Sequence, residues 1–361
     1  MYDIIPSFIT AFIITYFAIP SIIRIAIEKN LCDEPGERRS HTSSIPTLGG
    51  IGIFAGLIFA ITFWIPFDTA EHPSHRYIQY VLCAYIIIFL IGAKDDIIPL
   101  TPFKKFGGQL LAAFILVYQA KIELTSLYGI FWISDIPEWV GIPLSIFTII
   151  VIINSLNLID GINGLAGTVG IIVCLFFGYW FYRFGRLDLA ILSAATIGSL
   201  LAFLNYNLSP ARIFMGDTGS LLVGLTTAIL AISFIESNKD TPEIVQSSVW
   251  FIDSVPAVAI AVLIIPLFDT LRVFLLRVMR GHSPFYPDRT HIHHLLLELG
   301  FTHVQGTAIL GAFNVLFIAF AYSLRGIGTL ALLILVFSLA AMLTGFVFYL
   351  VHQKRKKNVS N

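Results

Sequence analysis

Five short stretches of this chain carry side chains able to do chemistry. "GAKDDIIPL" brings the adjacent pair Asp95 and Asp96, and "NLIDGING" brings Asn157, Asp160 and Asn163. "FMGDTGSL" carries Phe214, Gly216 and Asp217, while "PDRTHIHH" carries Asp288, Arg289, His291, His293 and His294. The fifth, "DEPGERRSHTSSIPTLGG", holds Arg38, Arg39 and His41. Carboxylate and amide oxygens are the ligands Mg²⁺ takes, and Mg²⁺ characteristically combines one or two carboxylates with waters and substrate phosphates. Arginine and histidine suit phosphate oxygens. Gly161, Gly164, Gly216 and Gly219 let the backbone approach a bulky ligand. Together these types point to phosphoryl transfer.

Taken singly, each stretch also has a structural reading. Asp95 and Asp96 could be a solvated helix end. Asp217 or Thr218 could cap the helix that follows. "DGING" could be an αL turn, and the three histidines could lie on the surface. The two glycines ending "PTLGG" could serve close helix packing. A zinc site is a poor reading of His-x-His-His, which lacks the i, i+4 spacing of a helical metal pair.

The elements that must position these residues are membrane helices. The chain is 57% hydrophobic and 12% charged, against about 25% charged in soluble domains, and its mean hydropathy is +0.86. Apolar runs fall at roughly 4–26, 48–67, 77–93, 104–120, 138–155, 165–182, 188–205, 219–236, 255–276, 303–323 and 328–351. Each is near the ~20 residues a spanning helix needs, so an all-α integral membrane protein of about eleven spans is expected. The runs are too long and too uniformly apolar for barrel strands. The first run has no basic flank or cleavage site, so it reads as a retained helix. Cys32, Cys83 and Cys174 show no metal or disulfide spacing.

Alternating the spans puts 16 of the 22 Lys and Arg on one side, the C-terminal Lys354, Arg355, Lys356 and Lys357 among them. The positive-inside rule then places the C-terminus in the cytoplasm and the N-terminus outside. All five chemistry-bearing stretches fall on that cytoplasmic side, although acids, amides and histidines played no part in the count. Acids at a membrane boundary are costly and usually functional. One shared site is therefore expected, built from segments 27–47, 94–105, 155–164, 206–219 and 277–302 of a single polytopic domain spanning 1–361. Its substrates would be a soluble nucleotide and a lipid with an interfacial phosphate. Net charge is zero, and no nucleic-acid partner is expected. Segment 120–138 reads as a hairpin or an interfacial patch, and 237–254 has no clear shape. A carrier would put its acids near the bilayer midplane, which makes a secondary transporter the weaker alternative.

"GAKDD", "NLIDGINGLAG", "FMGDTGSLLVG" and "SPFYPDRTHIHHLLLELGF" resemble, in order, the signature segments of the polyprenyl-phosphate N-acetylhexosamine-1-phosphate transferases. The first loop, with Asp33, Pro35, His41, Pro46, Gly49 and Gly50, is similar too. His-Ile-His-His after Pro-Asp-Arg resembles the WecA/TagO-type branch. The MraY-type phospho-MurNAc-pentapeptide branch, the alternative, usually has three consecutive histidines and ten spans.

The resemblance implies transfer of an N-acetylhexosamine 1-phosphate, by default GlcNAc 1-phosphate, from its UDP-sugar to undecaprenyl phosphate. UMP is released and synthesis of a lipid-linked glycan begins. It implies Mg²⁺, or Mn²⁺ in its place, and a multi-pass protein of the bacterial cytoplasmic membrane with its site facing the cytoplasm. By position, Asp217 becomes the foremost metal ligand and Asn157 a second. Asp160 lines the nucleotide–metal pocket with Asn157, and Asp95 and Asp96 lie where the lipid phosphate arrives, one of them as a base or as an organiser of the metal and its waters; these three acids and the three histidines form the catalytic set. His291, His293, His294 and Arg289 hold phosphate or sugar groups, and Phe214, beside Gly216, stacks near the uracil. Lys104 and Lys105 match the family's basic pair loosely, as phosphate contacts, and His41 belongs to the substrate-binding set. Where related bacterial chains read "DGIDGL", this one has Asn163, which cannot act as a base. A homodimer through a lipid-facing surface is compatible with the chain.

Overall fold

The computed structural model describes residues 3–33, 45–65, 77–239, 251–281 and 290–360. His41 and Arg289 lie outside the described residues, as do Arg38, Arg39 and Asp288. The helices are α1 (Ile4–Glu28), α2 (Gly49–Trp64), α3 (Tyr77–Ile97), α4 (Pro102–Phe114), α5 (Glu138–Ile159), α6 (Leu165–Arg183), α7 (Leu187–Asn207), α8 (Gly216–Lys239), α9 (Val255–Val262), α10 (Ile264–Met279), α11 (Ile292–Leu299), α12 (His303–Ser323) and α13 (Thr329–Ser360).

Among the described residues every apolar run is largely helical, but they are not equal as spans. Among the described residues, eight helices are long and apolar enough to cross a bilayer, and α9 with α10 makes a ninth if counted as one broken span. α2 has 16 residues, and α4 has 13 before a π-type turn at Ile115–Gln119. The one described pairing of strands, β1 (Cys32–Asp33) with β2 (Ile45–Pro46), is antiparallel and sits in the loop ahead of α2.

α8 is the hub, with 94% of its most apolar window buried, whereas α1 and α13 have 17% and form the periphery. Small residues let the helices meet. α1 turns Ser7, Ala11, Thr15 and Ile19, at four-residue spacing, inward. A Cβ on Gly198 would sit 2.2 Å from Phe8 O, so α1 lies directly on the backbone of α7. Without a hydrophobic drive between helices in lipid, such close packing is what holds them together.

The span expected over 255–276 is broken in two: α9 and α10 meet at a bend of 83°. Pro266 has no N–H to give the carbonyl of Val262, four residues earlier. Asn314 of α12 takes that carbonyl instead, its Nδ2 donating at 3.0 Å. At the opposite end of the bundle from the acids, segment 120–138 does form a hairpin-like cap, with Leu127 N–H donating to Ser134 O at 2.7 Å. Thr125 clamps it to α8, its N–H and Oγ1 donating to Glu236 at 2.9 and 2.8 Å. Trp132 on this cap is 94% exposed.

Candidate active site

Three helix ends converge because glycines remove the side chains that would hold them apart. A Cβ on Gly50 (α2) would lie 2.1 Å from Gly219 N, and one on Gly92 (α3) 2.5 Å from Thr218 Cα, both on α8. The packing role read for "PTLGG" is thus met. The last turn of α3, with Asp95 and Asp96, is pressed against the first turn of α8, with Asp217.

The cap of α8 comes from α3. Asp96 Oδ1 accepts from Asp217 N–H at 2.7 Å, and its Oδ2 accepts from Thr218 N–H at 3.0 Å and Thr218 Oγ1 at 2.5 Å. This corrects the local cap read for Asp217 or Thr218. A carboxylate here satisfies unpaired N–H groups and meets the positive end of the helix dipole. Gly216 turns the chain into the helix at φ 69°.

Asp217 is left to face other partners. Lys105, in the first turn of α4, forms ion pairs with Asp217 and with Asp95 Oδ2, the latter at 3.2 Å. Asp95 Oδ1 accepts from Leu100 N–H at 2.5 Å. Lys104 is exposed and is not brought into this cluster, because consecutive helix positions point about 100° apart. The expected lysine pair therefore reduces to one. Asn157 donates to Asp217 Oδ1 at 2.5 Å and to Ser220 Oγ at 2.8 Å. Asn157 lies within α5, which runs to Ile159, so only 160–164 remains of the loop expected over 155–164. Asp160 closes that helix. Burial pushes its carboxyl up to about 8, with the charges of Asp217 and Asp96 adding.

Two nearby asparagines, Asn154 of α5 and Asn163, have different settings. Asn154 pairs with Gln109 of α4, each amide donating to the other at 2.7 and 3.3 Å. This pairing ties α4 to α5. Asn163 is 7% exposed, and its backbone faces α12: the N–H donates to His303 Nδ1 at 3.3 Å and the carbonyl accepts from Thr307 Oγ1 at 2.8 Å. Its Oδ1 is buried without a hydrogen-bond partner.

His291 and His293 are not surface residues, which corrects that reading for two of the three. His291 is 5% exposed and His293 1%, while His294 is partly exposed. A Cβ on Gly161 would meet His293 Nε2 at 2.2 Å, so the histidine helix rests on the turn that carries Asp160. Burial drives the His293 pKa down to about 3, with the nearby His294 adding to the shift. Phe214 is part of the chain crossing that precedes α8: its N–H donates to Pro46 O at 2.8 Å and its carbonyl accepts from Gly49 N–H at 3.0 Å.

Two residues here were missed from sequence. Asp269 of α10 accepts from His291 Nδ1 at 2.8 Å and Ile292 N–H at 3.0 Å, and Arg272 Nη2 donates to it at 2.6 Å. A carboxylate inside the apolar run 255–276 was the signal.

The arrangement offers four carboxylates, one amide and one ammonium at a helix-end junction. The donors are all hard oxygens, and the carboxylates outnumber the cations. Among the described residues no three His, Cys, Asp or Glu close around one point. That donor set fits a Mg²⁺ ion completed by water and phosphate.

The family model described as glycosyl transferase family 4 matches residues 78–235. This stretch contains Asp95, Asp96, Asn157, Asp160 and Asp217 and stops short of the histidines. The undecaprenyl-phosphate alpha-N-acetylglucosaminyl 1-phosphate transferase of Escherichia coli (strain K12) is 31% identical over 320 residues, 85% of this chain and 79% of that protein. The Salmonella typhi protein of the same description is 30% identical over 308 residues, covering 84% and 78%. A Bacillus subtilis (strain 168) protein described as a probable undecaprenyl-phosphate N-acetylglucosaminyl 1-phosphate transferase is 29% identical over 312 residues, covering 86% and 82%. With likeness of this extent running through the carboxylate junction, the chain belongs to the polyprenyl-phosphate N-acetylhexosamine-1-phosphate transferases of glycosyl transferase family 4.

Proposed function

We propose that this protein transfers N-acetylglucosamine 1-phosphate from UDP-N-acetylglucosamine to undecaprenyl phosphate and releases UMP. The observation that carries the reading is the junction of Asp95, Asp96, Asp160 and Asp217 at one end of a membrane bundle, in a chain whose relatives are described by that reaction. Those descriptions favour neither the MraY-type alternative nor a transporter.

In the reaction, an oxygen of the lipid phosphate forms a bond to the β-phosphorus of the nucleotide sugar. The bond from that phosphorus to the bridging oxygen breaks, and the bridging oxygen leaves on UMP. Little covalent work falls to the protein, which must position and neutralise. Asp217 and Asn157 would hold Mg²⁺, or Mn²⁺ in its place, beside Asp160, and when bound it would supply positive charge against the diphosphate. Lys105, held between Asp95 and Asp217, meets the lipid phosphate as it arrives from the bilayer. Asp96 keeps Asp217 in place through the start of α8. His294, carried on α11 with His291 and His293, faces the sugar and phosphate groups together with Arg289. Phe214 and Gly216 border the nucleotide, and His41 joins from the first loop.

The same reading makes the chain one polytopic unit of the bacterial cytoplasmic membrane, with the carboxylate end in the cytoplasm, where UDP-sugars are found. Lipid-dependent UMP release is expected from membranes holding the protein, given UDP-N-acetylglucosamine, undecaprenyl phosphate and Mg²⁺. No such release from any UDP-N-acetylhexosamine would sink the proposal. Release only from the UDP-MurNAc-pentapeptide donor would favour the alternative branch.

A further inference from the structure

We propose that Asp269 of α10 is a positioning residue, which holds the histidine helix α11 in register with the carboxylate junction and sets the tautomer of His291. The catalytic side of this assignment rests on the transferase reading above.

Asp269 is 3% exposed, and both oxygens are committed. Oδ2 takes His291 Nδ1 at 2.8 Å, while Oδ1 takes Ile292 N–H at 3.0 Å, in the first turn of α11, and Arg272 Nη2 at 2.6 Å. The same Arg272 Nη2 also donates to Thr290 O at 2.6 Å, so carboxylate and guanidinium together grip residues 290–292. A carboxylate facing Nδ1 keeps the proton on that nitrogen and leaves Nε2 as the acceptor. The far end of α11 is held by Arg355, whose Nε and Nη2 reach Glu298 at 2.5 and 2.7 Å. That pair is exposed, and exposed pairs contribute little. The buried end therefore holds α11 more firmly than that ion pair does. What depends on the grip is one residue further on: His293 seats on Gly161, next to Asp160, and His294 follows.

Asparagine at 269 removes the charge facing Arg272. With its oxygen kept on Ile292 N–H, it turns an NH₂ group toward His291 and forces the ring to the other tautomer. Purified full-length protein carrying Asp269→Asn is compared with wild type in two ways. In the transfer assay, KM for UDP-N-acetylglucosamine is expected to rise on the order of tenfold to hundredfold, the fold-change that matches losing a hydrogen bond to a charged group. Simple loss of folded protein lowers kcat and leaves KM alone, so an unchanged KM overturns the assignment. Asp269→Glu, which keeps the charge, is expected to accumulate as wild type does and still raise KM, because one extra methylene shifts His291; a wild-type KM there also overturns it. The second measurement needs no activity. Hydrogen exchange across 290–299 is expected to run about tenfold faster or more in Asp269→Asn, reporting local opening of α11. Unchanged exchange overturns the assignment even if wild type makes no lipid product, a result that would count against the transferase reading alone.

Discussion

Asp217 is where the individual residues matter most. Its side chain pairs with Lys105 and Asn157, while Asp96 caps α8 in its place. Asp217→Asn is expected to cut lipid-dependent UMP release by about two orders of magnitude or more, as loss of a charge on a metal-assisted phosphoryl transfer should; near-normal turnover would remove it from the metal. His293 gives a stability test with a defined sign. Its folded pKa of about 3 lies below the ordinary value of about 6.5, so the unfolded chain takes up the proton first as pH falls. The neutral ring's contribution is whole above pH ~6.5 and shrinks toward pH 3, by about 2 kcal/mol at pH 5. Thermal unfolding of purified protein at pH 7 and pH 5 should show that loss, and His293→Gln should reduce it. Equal losses in both proteins would mean the ring is not the group responsible. Asp95, Asp160, Asp217 and the histidines were all legible as chemistry in the sequence. Their partners were not, because Asp96-to-Thr218 and Asp269-to-His291 join residues more than twenty positions apart.

At the scale of elements, the site exists because α2, α3 and α8 touch backbone to backbone. Gly92 and Gly50 have no room for a methyl group, and the atoms in the way are backbone atoms of α8 that cannot swing aside. Gly50→Ala is expected to push α2 from α8 and destabilise the fold by about 1–3 kcal/mol, the usual cost of overpacking. The readout is a lowered unfolding temperature together with loss of transfer activity, and a variant matching wild type in both would show that this junction tolerates slack. Helix positions were readable from apolar runs, down to the start of α12 at Thr302, whose Oγ1 and Gln305 form a reciprocal capping box. The bend at 262–264 could be suspected from Pro266. The partner of the freed carbonyl could not, because Asn314 donates to it from another helix.

For the whole molecule, the testable property is direction across the bilayer. Sixteen of 22 basic residues on one side predict a cytoplasmic C-terminus. A fluorescent protein that matures only in the cytoplasm, fused after Asn361, should be bright; a dark fusion with an externally accessible tail would reverse the orientation and strand the carboxylates on the side without UDP-sugars. The sequence by itself determined the membrane class, the helical content and the reaction its motifs resemble, and it marked out the candidate site residues. These are read from composition, periodicity and local motifs, each confined to a short stretch. Tertiary structure alone decided which side chain serves which: Asp96 caps and holds, Lys105 enters without Lys104, Asn163 turns its backbone to α12, and Asp269 grips the histidine helix. Such pairings follow from how rigid helices fit across glycine contacts, and no local pattern records that fit.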